Sequence, residues 1–106
     1  MPQNHLLLVS AAANGPGAIF WVPAEMANRS FVVNLTGTGP VSATVSYEVS
    51  NDNGVTWATR LTFNLSGTNL KSDADVDANS PFTSVRGTVS NLSGTGAAVS
   101  LSLCAA

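Results

Sequence analysis

A chain of 106 residues has the length of a single domain, with room for a modest core and little for a deep catalytic cleft. Hydrophobic residues make up 44%, too many for a disordered chain, while charged residues make up only 9%, against roughly 25% in an ordinary soluble domain. The net charge is −2 and the four cations (Arg29, Arg60, Lys71 and Arg86) are scattered, so no basic stripe follows a phosphate backbone, and no apolar run approaches the roughly 18 residues of a membrane helix.

The segment Met1 to His5 carries no basic n-region, although Ala11-Ala12-Ala13 has the small residues of a cleavage site; the chain is expected to stay in a cytosol or assemble into a particle there. His5 to Ala12 and Ala18 to Val22 are predicted strands, with loops at Asn14 to Gly17 and Pro23 to Asn28. Phe31 to Leu35 is the next strand. The clearest one follows: Val41, Ala43, Val45, Tyr47 and Val49 alternate with Ser42, Thr44, Ser46 and Glu48, so one face is buried and the other wet. Leu61, Phe63 and Leu65 repeat the alternation after a turn. Residues 66 to 81 are predicted as the longest stretch without a strand. Ser84 to Val89 is a further strand, and Ala97, Val99, Leu101 and Leu103 alternate in a terminal one. Seven or eight short strands with turn chemistry between them predict an all-β fold: an antiparallel β-sandwich, with a jelly roll as one topology, filling residues 1–106 as one domain.

One motif recurs: Asn34-Leu-Thr-Gly37-Thr38, Asn64-Leu-Ser-Gly67-Thr68 and Asn91-Leu-Ser-Gly94-Thr95. Glycine supplies the positive φ of tight turns, so each copy predicts a strand end followed by a turn. Unequal spacing argues against a solenoid array. Each copy, like Asn28-Arg29-Ser30, also spells a glycosylation sequon, which is not expected to be used without a secretory signal.

The turn between the two clearest strands, Ser50-Asn-Asp52-Asn-Gly54-Val-Thr56-Trp57, is similar to the Asp-box, Ser-x-Asp-x-Gly-x-Thr-Trp, of sialidases and other β-proteins. Its residues are explained by hairpin building. Asp52 accepts bonds from the turn's own amides, Gly54 takes a positive φ, and Trp57 lays an apolar ring across the strands. In sialidases the boxes lie away from the catalytic centre. Such an enzyme would also need several boxes, an arginine cluster and a tyrosine nucleophile on a much longer propeller. Here there is one box, Tyr47 alone and three separated arginines, so the hairpin reads as structural.

The run Asp73, Asp75, Asp77 with Asn79 offers oxygen ligands of the kind Ca²⁺ takes, but Ala78 and Ser84 stand where an EF-hand loop needs Gly and a bidentate Glu; a solvated polar loop is expected. His5 has no catalytic partner in its neighbourhood, and no nucleophile elbow or phosphate-cradling glycine loop is present. Cys104 and His5 cannot build a zinc site within one chain, and a lone Cys104 reads as a small apolar side chain. Trp21, Trp57, Phe20, Tyr47 and Phe82 are expected in the core, with a sugar-stacking platform as the competing reading. No catalytic, cofactor or metal residue is assigned.

Taken in order, the run from Ser46 to Trp57, Leu61 to Gly67, the acidic loop, Phe82 before Val85-Arg-Gly-Thr-Val89, Leu92 to Gly96 and the terminal alternating strand resemble the small β-sandwich virion structural proteins of tailed bacteriophages. The resemblance covers residues 29 to 103. Residues 1–28 fit it least and are expected to form an arm or an extra strand pair. The resemblance implies a non-enzymatic virion component, a capsid decoration or cement protein that packs against the major capsid protein or another virion protein, oligomeric and by preference a homotrimer. The alternative is a phage tail component or a carbohydrate-binding module using exposed aromatics. Independently of the resemblance, few charges and many Ser/Thr positions suit a packing module.

Overall fold

The computed structural model describes residues 3–106; Met1 and Pro2, the start of the expected N-terminal arm, lie outside the described residues. It is all-β and antiparallel: β1 (Gln3–Ala11), β2 (Gly15–Pro16), β3 (Phe20–Trp21), β4 (Arg29–Ser50), β5 (Ala58–Asp77) and β6 (Ser84–Ala105). All six belong to one hydrogen-bonded sheet in the order β1-β6-β4-β5, with β2 and β3 also pairing with β6. The count differs from seven or eight short strands because segments predicted separately run on. Phe31 to Leu35 and Val41 to Val49 are two parts of β4, and Ser84 to Val89 and Ala97 to Leu103 are two parts of β6.

Straight strands of this length do not fit the molecule. The 22 residues of β4 would reach about 70 Å, yet the longest dimension is 41 Å. Arg29 and Tyr47 lie eighteen positions apart, about 60 Å on a straight strand, and are hydrogen-bonded at 3.0 Å. Phe31 packs against Tyr47 with ring centroids 4.3 Å apart. The sheet therefore doubles over, and the two halves of each long strand face one another. Alternation supplies the inner faces: Phe31, Val33 and Leu35 from one half of β4, and Val41, Val45, Tyr47 and Val49 from the other, are all buried. On β6, Val99, Leu101 and Leu103 from one half and Val85 and Val89 from the other join the same core, with Leu7 and Leu8 of β1, Val22, and Phe63 and Leu65 of β5; each such side chain contributes roughly 1.5–3 kcal/mol by leaving water.

The fold line runs through the recurring motif. Its copies lie within β4, β5 and β6, where the pairing register shifts, between Thr36 and Pro40 on one side of β4 and between Thr36 and Thr44 on the other. The motif bends strands and does not end them, contrary to the turn prediction. At Gly37 a Cβ would sit 2.6 Å from Val41 Cγ1, so the bend is tight enough to exclude any side chain there. The predicted non-strand stretch 66 to 81 is corrected in the same way: β5 continues through it to Asp77, paired with β4 from Arg29↔Asp77 to Thr36↔Leu70. Gly15–Pro16, inside a predicted loop, makes a short pairing with Val89 and Thr88.

Candidate functional site

The hairpin between β4 and β5 is built as its residue types require. Ser50 Oγ accepts from Gly54 N–H at 3.0 Å and donates to Asp52 Oδ1 at 2.7 Å. Asp52 Oδ1 accepts from Thr56 N–H at 2.9 Å, and its Oδ2 accepts from the Thr56 hydroxyl. These bonds all favour the ionised form. The Thr56 hydroxyl leads, its amide and the Ser50 hydroxyl follow, and together they lower the Asp52 pKa to about 2. Gly54 has φ 86°, the left-handed conformation expected of it. The Trp57 indole donates back to Gly54 C=O at 2.9 Å.

Trp57 also carries a cation on its ring face. The Arg86 guanidinium stacks 4.2 Å from the ring centroid while its Nε donates to Glu48 at 2.8 Å, and the Thr88 hydroxyl donates to the same Glu48 oxygen. Ile19, Trp21 and Val55 are exposed. Ile19 and Trp57 both approach Gly54, each with an atom 3.2 Å from the position of a Cβ there. Trp21 is opposite Ser84, which is opposite Ser50. The aromatics thus divide. Tyr47 is core as expected, Phe20 and Phe82 pack partly against it, Trp57 is held by its own hairpin, and Trp21 is 62% exposed.

Two charged groups that looked scattered in the sequence are placed with purpose. Arg60 grips Asp77 through both nitrogens of its fork, at 2.8 and 3.2 Å, and lies 5.4 Å over the Phe82 ring. Burial pushes the Asp77 carboxyl up, but the Arg60 bonds, with Arg29 farther off, outweigh it and hold the pKa below the usual carboxylate range. The Ser80 hydroxyl adds to this from nearby without a well-formed hydrogen bond. Arg29 is 2% exposed. Its Nε donates to Met26 C=O at 3.1 Å and its Nη1 to the Tyr47 hydroxyl, while Nη2 has no partner. One signal in the sequence pointed to this: Arg29 stands in step with Phe31, Val33 and Leu35, on the buried side of the alternation.

The acidic run is a strand and not the loop expected, while Asp73 and Asp75 are exposed to solvent as expected and Asp77 is buried. Asp73, Asp75 and Asp77 lie on the edge strand β5 opposite Val33, Phe31 and Arg29, on the core-facing side. Asp73 and Asp75 each accept from the next residue's amide at 2.8 Å, and Asp77 is taken by Arg60. Among the described residues, no three His, Cys, Asp or Glu side chains converge as a metal site. His5 Nε2 lies 3.1 Å from Gln3 Oε1, its ring against Phe20, and Cys104 is a half-buried free thiol on the opposite, outer side of β6 from Leu103. The chain matches no family model, no curated protein and no solved structure.

Proposed function

We propose that this chain is a non-enzymatic virion structural protein, a capsid decoration protein that packs as a homo-oligomer against the major capsid protein or another virion protein. The observation that supports the reading best is the outer surface of the doubled sheet. Leu6, Val32, Leu70 and Val76 are large, apolar and exposed on one half, and Trp21, with Ile19 just before its strand and Val55 in the hairpin turn, is exposed too. Ser and Thr fill the rows between them, in a chain with only four cations and six anions. Such faces suit burial against neighbours more than solution. In this role the mechanism is area: a standard interface removes roughly 1,600 Å² from water, and a symmetric shell multiplies weak contacts into avidity. The finer reading of the doubled sheet as a β-sandwich belongs to the same proposal. Particles assembled without the protein are expected to lose resistance to heat, and density for the chain is expected on the capsid surface in images of the complete particle. Unchanged particle stability refutes the reading.

A second reading, a tail component or carbohydrate-binding module, is favoured by one feature. Trp21 is 62% exposed and paired with Ser84, two residues along β6 from the Arg86 that stacks on Trp57. A saccharide-dependent change in tryptophan fluorescence or melting temperature supports that reading; the absence of any change across a glycan panel rejects it.

A further inference from the structure

The long edge strand β5 is protected along one half only. In the half nearest β5's end, Lys71, Asp73, Asp75 and Asp77 all stand on the core-side face of an edge, the first three still exposed and Asp77 buried, and charges so placed are a common device against edge-to-edge pairing. Two of the outward amides there are also covered. Val32 C=O faces β6, where Ser102 Oγ donates to it, and Cys104 C=O faces β4, where Ser30 Oγ donates to it. Antiparallel alternation then turns the Ala74 and Val76 amides, opposite Val32 and Ser30, away from the sheet. These are the two amides taken by Asp73 and Asp75.

The other half has neither protection. From Leu61 to Leu70 there is no charged residue and no proline. Thr44 C=O faces β6, where Ser90 Oγ donates to it at 3.5 Å, so Asn64, opposite Thr44, turns its amide and carbonyl outward, as do Thr62 and Ser66 on the same alternation. All three side chains are exposed on the outer face.

We propose that this open edge pairs with the same edge of a second copy, antiparallel, about a two-fold axis at Asn64. The run is self-complementary in that register. Asn64 meets the partner's Asn64 and Thr62 meets the partner's Ser66, each pair exchanging both backbone bonds. On the core side Phe63 meets the partner's Leu65, so the half-buried row of Leu61 and the buried Phe63 and Leu65 continues across the axis. Arg60 falls opposite the partner's Thr68, and the charged run from Lys71 onward extends past the end of the partner's strand, so no like charges meet. The same contact on both copies closes the assembly at two chains. The inference goes beyond the packing role proposed above by naming the face and the symmetry, and it stands or falls without any virion.

The test is the solution mass of the wild type, Asn64→Lys and Asn64→Glu by light scattering, with circular dichroism to verify the fold. The wild type is expected at twice the chain mass. Each variant sets like charges opposite one another at the axis and is expected at half that mass with an unchanged spectrum. An equimolar mixture of the two variants is expected to return to the double mass, with one chain of each kind by native mass spectrometry. A monomeric or trimeric wild type, or folded single variants that stay dimeric, overturns the proposal; a monomeric wild type leaves the edge to a strand of another protein.

Discussion

Tyr47→Phe removes one oxygen and leaves the ring that packs on Phe31. That oxygen accepts from Arg29 Nη1 at 3.0 Å in a site where both side chains are almost wholly buried. Arg29 already has one nitrogen without a partner. The substitution leaves a second one unpaired, beyond the reach of water. Losing a hydrogen bond to a buried charge costs roughly 1.5–3 kcal/mol, more than the 0.5–1.5 kcal/mol of a neutral bond, because the charged donor is stranded. For a domain of this size the melting temperature is expected to fall on the order of 10 °C. Urea unfolding followed by tryptophan emission reads the same loss as a lower midpoint with an unchanged slope. Arg29→Met supplies the control. Without the guanidinium, the hydroxyl has no donor to serve, and Tyr47→Phe is expected to cost less than about 0.5 kcal/mol in that background, a coupling of at least roughly 1 kcal/mol. Equal costs in the two backgrounds would refute the claim that the hydroxyl acts through Arg29.

Asp52 sets a pH dependence of stability. Its pKa is about 2 in the fold against 3.8 ordinarily, so its contribution is complete above the unfolded value and lost as pH falls through the folded one. Asp52→Asn is expected to flatten the melting curve between about pH 4 and 2 relative to the wild type, and parallel curves would contradict this. Gly54→Ala must hold φ 86° with a Cβ 3.2 Å from Ile19 and Trp57, and is expected to lower stability by about 1–2 kcal/mol. Asn53→Gly, at φ 58°, is expected to change it by no more than about 0.5 kcal/mol. Asp73→Ala with Asp75→Ala uncovers the Ala74 and Val76 amides on an exposed edge; faster aggregation by light scattering is expected, and unchanged solubility would show that the two carboxylates do not guard it.

Much of this fold is legible in the chain because a period of two is a direct record of burial. Val41 to Val49 and Ala97 to Leu103 could be placed face by face, and the Ser50–Trp57 hairpin could be explained residue by residue. What misled was any feature with two local readings. Thr-Gly-Thr serves a tight turn and a bent strand equally well, and only the neighbouring strands decide between them. Asp73, Asp75 and Asp77 have a loop's composition, but an edge strand uses inward charges for its own protection. The stack of Arg86 on Trp57 and the grip of Arg60 on Asp77 join residues far apart in sequence, and no spacing rule announces them.

The recurring motif gains its reason from the doubled sheet. A sheet folds over only if every strand crossing the fold bends at the same level, since a single straight strand would hold its neighbours flat. Three adjacent strands therefore face one local problem, and they solve it with one short sequence. The left-handed residues gather at this level: Gly39, Asn69, Asn91, Gly94 and Gly96 all have positive φ. The bends are also tied to one another, because the Asn69 side chain accepts from Gly39 N–H at 2.7 Å and so links the corner of β5 to that of β4. Thr38 is opposite Thr95, and Pro40 is opposite Thr68, so the ends of the three motifs meet across the sheet. Repetition here reflects the mechanics of bending a sheet, and it needs neither a repeated domain nor a repeated ligand site.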